Sequence, residues 1–346
     1  MITSTTHALG RGLSRSLAIL FLTLGGTVFG QVSQSFVQIG GPGAVGCQFG
    51  DPPLLSGGVP ASAALGFSYD QSTGRLTLTV DNTSPVIAGQ STPIITRIWF
   101  NLPLFAVTGL SLVEQHADAG ATPNFGLTVD TNTLDGAGSI NVNCLGRFGV
   151  QLANPGPGPQ GGLANPQAVE LAGSPGSQVL GRLTVVLQVA AANLAGLNSD
   201  SFASTFSQGA AFAQANAALK FQGAGVGGAE SGTIGNAPNC EAAGFIIGEP
   251  KLGHTVFIAQ NAAPGCFGCV VASLDPGPTQ VGPYLIPLGL PAYIISSAFS
   301  PPNGVFTFPI SIPPDIAYLG LTVYFAFITS NPEIDISQSF QFTITL

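Results

Sequence analysis

The sequence predicts an all-β protein built as two β-sandwich domains, Ig-like or jelly-roll-like, in tandem after an N-terminal signal peptide. Short runs of alternating apolar and polar residues recur along the 346-residue chain, and a period of two is typical of strands buried on one face. Turn-forming residues separate the runs, with 47 glycines and 27 prolines in all. Hydrophobic residues make up 45% of the chain and include 23 phenylalanines, which is enough to form a core.

The N-terminus has the charge, apolar core and small-residue order of a secretory signal. Arg11 and Arg15 precede the apolar run 17–29, and Gly30 follows it at a position that suits signal peptidase. The run is shorter than the about 20 residues of a membrane span, which disfavours the alternative of an uncleaved anchor. We therefore expect residues 1–30 to be removed and the mature chain to be secreted or held at the cell surface.

The mature chain is poor in charge and acidic in balance. Without the leader, six basic and sixteen acidic residues remain, a formal net charge of −10. No basic stripe is left to follow a phosphate backbone, so we expect no nucleic-acid partner and no membrane insertion after signal cleavage. Charged residues are 7% of the chain, against about 25% in ordinary domains. Its surfaces must therefore consist largely of uncharged polar groups, which suit a glycan or a surface-protein partner.

We assign residues 31–238 to the N-terminal β-sandwich domain. Residues 154–178, rich in glycine and proline, are predicted to form a long surface loop, and a short helix is predicted within 202–219. A hairpin turn at 69–75 is closed by Gly74. The predicted strands of this domain are 75–82, 97–105, 125–130 and 181–190.

Residues 239–346 are predicted to form the C-terminal Ig-like sandwich, with the domain boundary in the glycine-rich stretch 223–240. A hairpin is predicted around 300–304, because Asn303-Gly304 supplies positive-φ residues for a tight turn. The nearly continuous apolar run 318–328 predicts a central strand buried on both faces. The predicted strands are 254–259, 292–299, 305–312, 321–329 and 339–346.

The chain has five cysteines, and an exported protein places them where disulfides form. We predict that Cys47 pairs with Cys144 and that Cys240 pairs with Cys266 or Cys269. Because five is odd, at least one thiol is free or forms an intermolecular bond. The alternative of a redox dithiol at 266–269 lacks the helix N-terminus that lowers a thiol pKa.

The sequence contains no recognisable catalytic constellation, and we predict that the protein is not an enzyme. His116 and His254 are the histidines of the mature chain, and neither stands in a known catalytic motif. Residues 223–228 match the spacing of a dinucleotide-binding loop, but no helix signal follows, so a glycine-rich β-loop is expected. No cofactor is predicted apart from a candidate calcium ion.

That calcium candidate is the run 130–136, in which Asp130, Asn132 and Asp135 offer oxygen ligands. The spacing departs from the EF-hand loop, and a turn with Asx hydrogen bonds explains the same residues. Trp99 is a candidate for stacking on a sugar, but its position between Ile98 and Phe100 favours core packing.

Three segments of the first domain resemble a recurring module of PEP-CTERM-type exported bacterial proteins, over about residues 31–238. The segments are LTLTVDNTSP (76–85), ITRIWFNLP (95–103) and ALKFQGAGVGGAESGTIG (218–235). The sorting tail of that family, with its Pro-Glu-Pro motif, is not found in this chain. The resemblance implies export and no known catalytic residue.

The segment 301–328 of the second domain is similar to a C-terminal β-module of large secreted bacterial proteins, over about residues 240–346. Asp315, Gly320 and Tyr324 match the pattern of that module, while the glutamine usual after the tyrosine is absent, with Phe325 and Ala326 there instead. This resemblance also implies no catalytic residue.

Three hypotheses about function follow from these observations. The first is an exported, non-catalytic β-sandwich protein with a structural or adhesive role at the cell surface or outside the cell. The second is a carbohydrate-binding protein, with or without calcium. The third is a glycoside hydrolase whose pair of carboxylates the sequence alone does not reveal.

Overall fold

A computed structural model describes the chain over fourteen ranges, and the predicted signal peptide 1–30 lies outside them. The ranges are 32–41, 44–47, 53–103, 105–130, 139–142, 145–156, 158–167, 177–205, 207, 214–236, 243–261, 265–301, 305–330 and 334–346.

Nearly all regular structure in these ranges is strand, which confirms the predicted all-β class. The helix α1 is a single turn, Asp200–Ala203. The strands are β1 Val32–Ile39, β2 Val45–Gly46, β3 Ala63–Asp70, β4 Arg75–Asn82, β5 Ile94–Phe100, β6 Val107–Gly120, β7 Gly126–Val129, β8 Ile140–Asn141, β9 Arg147–Phe148, β10 Val150–Ala153, β11 Leu163–Ala164, β12 Val179–Ala191, β13 Ala217–Ala224, β14 Glu230–Gly235, β15 Ala243–Ile247, β16 Thr255–Asn261, β17 Phe267–Ser273, β18 Thr279–Val281, β19 Tyr284–Ile286, β20 Ala292–Phe299, β21 Val305–Ser311, β22 Thr322–Ser330, β23 Ile334–Ile336 and β24 Phe340–Thr343.

One half of the large N-terminal sheet consists of β1, β3, β4, β12 and β6, side by side and antiparallel. Alternate residues of each strand point into the core, as Leu76, Leu78 and Val80 do in β4. The other residues of these strands form an outer face that is largely polar. The alternation read in 75–82 is therefore the alternation between core and solvent, and β4 has the predicted bounds.

The other half of that sheet contains β7, β10, β5, β13, β14 and β2, in this order. The short strand β11 joins the halves, because it pairs in parallel with β12 and antiparallel with β5. The two halves share one core, in which the rings of Phe67 and Phe100 meet edge to face with centroids 5.5 Å apart.

The C-terminal strands form a three-stranded sheet, β15-β16-β21, and a five-stranded sheet, β20-β17-β22-β23 with β24 beside β22. Between them lies a second core in which Phe327 and Phe340 stack, with ring planes 12° apart. Strand β22 is central in its sheet and is fully buried at Phe325–Phe327, as predicted, but it begins at Thr322, so residues 318–321 of the predicted run precede the strand.

The predicted hairpin around 300–304 is wrong. Strand β20 pairs with β17, whereas β21 pairs with β16, so the chain crosses from one sheet to the other between them. Asn303-Gly304 favours a tight turn. The pairing of these strands, however, depends on which of the two sheets around the C-terminal core each strand belongs to. Residues 302–304 themselves lie outside the described residues.

Two other predictions need correction. The stretch 154–178 is not only a surface loop, because it contains β11, whose Leu163 is fully buried. Of the helix predicted within 202–219, the described residues show only the end of the single turn α1, which begins at Asp200, while residues 217–219 belong to strand β13 and residues 208–213 lie outside the described ranges.

Strands up to β14 belong to the large sheet, and strands from β15 onward belong to the smaller ones. The two parts nevertheless touch through hydrogen bonds around α1. The Asp200 carboxylate accepts from the backbone N–H of Gln338 at 2.9 Å, and the Ser201 hydroxyl donates to the Gly244 carbonyl at 3.1 Å. Phe245 is also buried in the N-terminal core. The division into two tandem sandwich domains stays a prediction.

Gly244 lets strand β15 lie close to two aromatic rings of the C-terminal core. A Cβ there would lie 2.6 Å from Phe327 Cδ2 and would also collide with the ring of Phe340. We expect Gly244→Ala to lower the free energy of unfolding by about 1–3 kcal/mol, because buried rings in contact have little room to move. Chemical denaturation followed by circular dichroism measures the change. Gly126→Ala, on a strand where the nearest atom is 3.8 Å away, should change stability by less than about 0.5 kcal/mol. Equal effects of the two substitutions would contradict this account.

Candidate functional site

Among the described residues, the outer side of β1, β3, β4, β12 and β6 is the surface best suited to hold a ligand. We call its central residues the polar face: Phe36, Ser68, Thr77, Thr79, Thr184 and His116. Each belongs to the set of side chains that points away from the core, so each is exposed or half-buried. The rigid sheet beneath them fixes their spacing.

Five residues of this surface stand in one straight row across the strands. Phe36 is paired with Gly66, Gly66 with Thr79, Thr79 with Thr184, and Thr184 with His116. Neighbouring strands are about 4.8 Å apart, so the row is roughly 19 Å long. An aromatic ring stands at one end, an imidazole at the other, and two hydroxyls lie between them.

Gly66 shapes the aromatic end of the row. A Cβ at this position would lie 2.5 Å from Thr79 Oγ1 and 3.3 Å from Phe36 Cε1. The Phe36 ring therefore extends over the glycine, and 74% of the residue is exposed. Phe36 was not singled out from the sequence, although its place between Gln34 and Gln38 in the polar set of an alternating strand marks it as an exposed aromatic residue.

Most polar groups on this surface are free to bind something else. Within the described part of the chain, the side chains of Ser68, Thr77, Thr184 and His116 form no hydrogen bond, and the Thr79 hydroxyl makes one long bond of 3.4 Å to the Gly66 carbonyl. Hydroxyl and imidazole groups can both donate and accept. A hydroxyl-rich ligand could replace their water without leaving any of them unpaired.

Charged residues border the polar face, and Glu114 stands on β6 two residues from His116, on the same side of the sheet. At one end, the hydroxyls of Ser72 and Thr73 donate to Asp70 and lower the pKa of its carboxyl. At the other end, Arg182 forms a salt bridge of 2.8 Å with Asp81, whose hydrogen bond raises the pKa of the guanidinium. The Arg182 backbone N–H also donates to Asp118. These contacts give Asp70, Asp81, Asp118 and Arg182 partners within the protein.

The two candidate histidines are far apart in the fold, and both are exposed. His116 lies on the edge strand β6, and His254 precedes β16 in the C-terminal part. Among the described residues, no three His, Cys, Asp or Glu side chains stand close enough together to hold a metal ion.

Trp99 is part of the core, as predicted. It is 4% exposed, packs against a small cluster that includes Phe148, and donates from Nε1 to Gln151 Oε1 at 2.9 Å. It therefore offers no stacking surface. The glycine-rich stretch 223–228 runs from the antiparallel strand β13 into the turn before β14, which confirms the expected β-loop.

The calcium candidate falls largely outside the described residues. Asn132 and Asp135 are not described, whereas Asp130 accepts from the backbone N–H of Ser139 at 2.9 Å. Asp130 follows β7, which is not one of the five strands of the polar face. A calcium ion at this site stays a prediction, separate from the polar face.

The cysteines divide into bonded and free residues. Cys47 and Cys266 are disulfide-bonded, and Cys269 is a free thiol. The two cysteines of 266–269 are thus not joined to each other, and Cys269 is not the partner of Cys240. The predicted partners Cys144 and Cys240 lie outside the described residues, so the pairing stays a prediction. Burial raises the pKa of the Cys269 thiol, which makes it a poor nucleophile.

No helix among the described residues has the length and apolar character needed to cross a membrane. No family model matches the chain, and a search of curated proteins finds no match either. The functional argument therefore depends on the geometry of the polar face.

The cysteine assignment predicts a thiol count. Protein unfolded in denaturant without reductant should react with one equivalent of a maleimide reagent, and with five after reduction, because the chain has five cysteines and we expect two disulfides. The folded protein should react slowly at neutral pH, since a raised pKa leaves little thiolate. Mass spectrometry of the labelled chain gives the count, and Cys269→Ser is the control that should show no reactive thiol before reduction. Three or more equivalents before reduction would disprove the pairing.

Proposed function

We propose that this chain is an exported, non-catalytic β-protein with an adhesive role at the cell surface or outside the cell, and that it adheres by binding an uncharged glycan on the polar face. The observation that carries the proposal is the cross-strand row from Phe36 to His116. It joins an exposed aromatic ring to hydroxyl and imidazole groups on a rigid surface.

The chemistry of the row matches the chemistry of a sugar. The C–H face of a pyranose ring stacks on an aromatic ring, and its hydroxyls donate and accept hydrogen bonds in the plane. Phe36 supplies the ring, while Thr79, Thr184 and His116 supply paired donors and acceptors. The open row of roughly 19 Å suits a chain of sugars rather than a single one.

The charges around the polar face favour a neutral ligand. Arg75 and Arg182 share this surface with Asp70, Asp81 and other carboxylates, so the positive charges are balanced or outnumbered. The chain as a whole is acidic. A polyanion would meet net repulsion here, and an uncharged polymer would not. Binding should therefore depend little on ionic strength.

The test is a titration of soluble neutral oligosaccharides, chosen from a glycan array, against the mature protein by isothermal calorimetry. We expect Phe36→Ala to weaken binding by about tenfold or more, a loss of ~1.4 kcal/mol, since it removes the stacked ring. Thr184→Val, which removes one hydroxyl and keeps the shape, should weaken binding by a smaller factor.

The matched control is Phe299→Ala, which removes an equally exposed ring (68%) from the C-terminal part. It should bind the oligosaccharide as the wild type does. Failure of every neutral glycan to bind, or an equal loss in both phenylalanine variants, would remove the support for this function. Loss of binding in a chelator would shift the site to the calcium candidate.

A further inference from the structure

Strand β1 carries the aromatic end of the polar face, and its two halves are held in different ways. In its second half, Val37 and Ile39 are buried in the N-terminal core, and Ile39 also forms a β-bridge with Asn236. In its first half, the residues on the core side are Ser33 and Ser35. Hydroxyl groups withdrawn from water need hydrogen-bond partners, so the first half of β1 depends on polar contacts rather than on apolar burial.

Polar groups from two other parts of the chain supply these partners. We call the whole cluster the junction: Ser33 and Ser35 of β1, Ser199 and Asp200 at the start of α1, and Gln338 between β23 and β24. The backbone N–H of Ser199 donates to the Ser33 hydroxyl at 2.8 Å. The Ser35 hydroxyl donates to one oxygen of the Asp200 carboxylate, and the other oxygen accepts from the backbone N–H of Gln338 at 2.9 Å. The junction therefore ties β1 to α1 and to the C-terminal part.

Gln338 is the residue by which the C-terminal part reaches β1. Its side-chain Oε1 accepts from the Ser199 hydroxyl at 3.1 Å, and its Nε2 donates to the Ser35 hydroxyl at 3.2 Å. The same Nε2 donates to the backbone carbonyl of Gln34. Strand β1 is at the edge of its sheet, next to β3, and the outer side of an edge strand presents a row of backbone groups without a strand partner. Gln338 supplies a partner at Gln34, two residues before Phe36.

We propose that Gln338 is a positioning residue, which holds the first half of β1 in the sheet and thereby sets the place of Phe36 in the cross-strand row. Phe36 lies where the part of β1 held by the junction meets the part held by the core. If the first half of the strand moves, the ring moves relative to Thr79 and Thr184, and a binding surface tolerates little displacement of its groups. The effect on the strand is independent of any ligand, whereas the effect on binding rests on the proposed glycan function.

Hydrogen–deuterium exchange of the mature protein without ligand, followed by mass spectrometry, tests the hold on β1. In Gln338→Ala, the amides of β1 should exchange about fivefold faster or more, because the strand opens more often once its outer hydrogen bonds are lost. The amides of β4, in the middle of the same row of strands, should exchange as in the wild type. Unchanged exchange in β1, or an equal acceleration in β1 and β4, would overturn the proposal.

Gln280→Ala is the matched control. Gln280 also donates from Nε2 to a backbone carbonyl, that of Gly282 at 2.8 Å, but it belongs to the β18–β19 hairpin of the C-terminal part. In this variant, β1 should exchange at the rate of the wild type. Far-UV circular dichroism verifies that both variants are folded. Faster exchange of β1 in the control as well would contradict a specific role of the junction.

Calorimetric titration with a neutral oligosaccharide tests the effect on Phe36. Gln338→Ala should weaken binding by about threefold in the wild-type background, which corresponds to roughly one hydrogen bond. It should cause no further loss in Phe36→Ala, because the ring through which Gln338 acts is gone. Unchanged affinity, or an equal loss in both backgrounds, would disprove the positioning of Phe36. If no neutral glycan binds, the proposed function fails, and the exchange experiment alone decides the role of Gln338.

Discussion

Burial of one side of the strands β1, β3, β4, β12 and β6 is the constraint on which both the fold and the candidate site depend. Side chains of a strand alternate between its faces, so a slip of one residue would move every core side chain into water. The register is fixed by residues such as Leu78 and Val185, which are fully buried and paired with each other. The neighbouring residues Thr79 and Thr184 are brought opposite each other as a consequence. The order of the polar face is thus imposed by the core beneath it.

The sequence reveals the fold where local pattern and tertiary structure agree. Strand β4 has clean alternation and a hairpin turn before it, in which Gly74 adopts a φ of +68°, and both were predicted from the sequence. Strand β6 was not predicted, although it is 14 residues long. It lies at an edge and its pairing with β12 is interrupted by three register shifts, which destroy the alternation.

The incorrect predictions concern which strands pair, and strand pairing depends on tertiary contacts that no local sequence pattern shows. The sequence Asn303-Gly304 favours a tight turn. Strands β20 and β21 nevertheless join different sheets, because each strand forms part of a different side of the C-terminal core. The candidate site shows the same limit. The sequence indicates that β4 presents Thr77 and Thr79 to solvent, but only the strand order places them beside Phe36 and His116, which are far away in the chain.

The low charge of the chain leaves two kinds of surface in water. The polar face keeps its solvation with hydroxyl groups, while Phe299 and Ile294 of the C-terminal part expose hydrophobic side chains. Under the proposed function, each polar face needs only weak affinity for a sugar polymer. Several copies of the chain displayed side by side on one surface would meet the same polymer at a high effective concentration, so weak contacts at each face would add up to firm attachment.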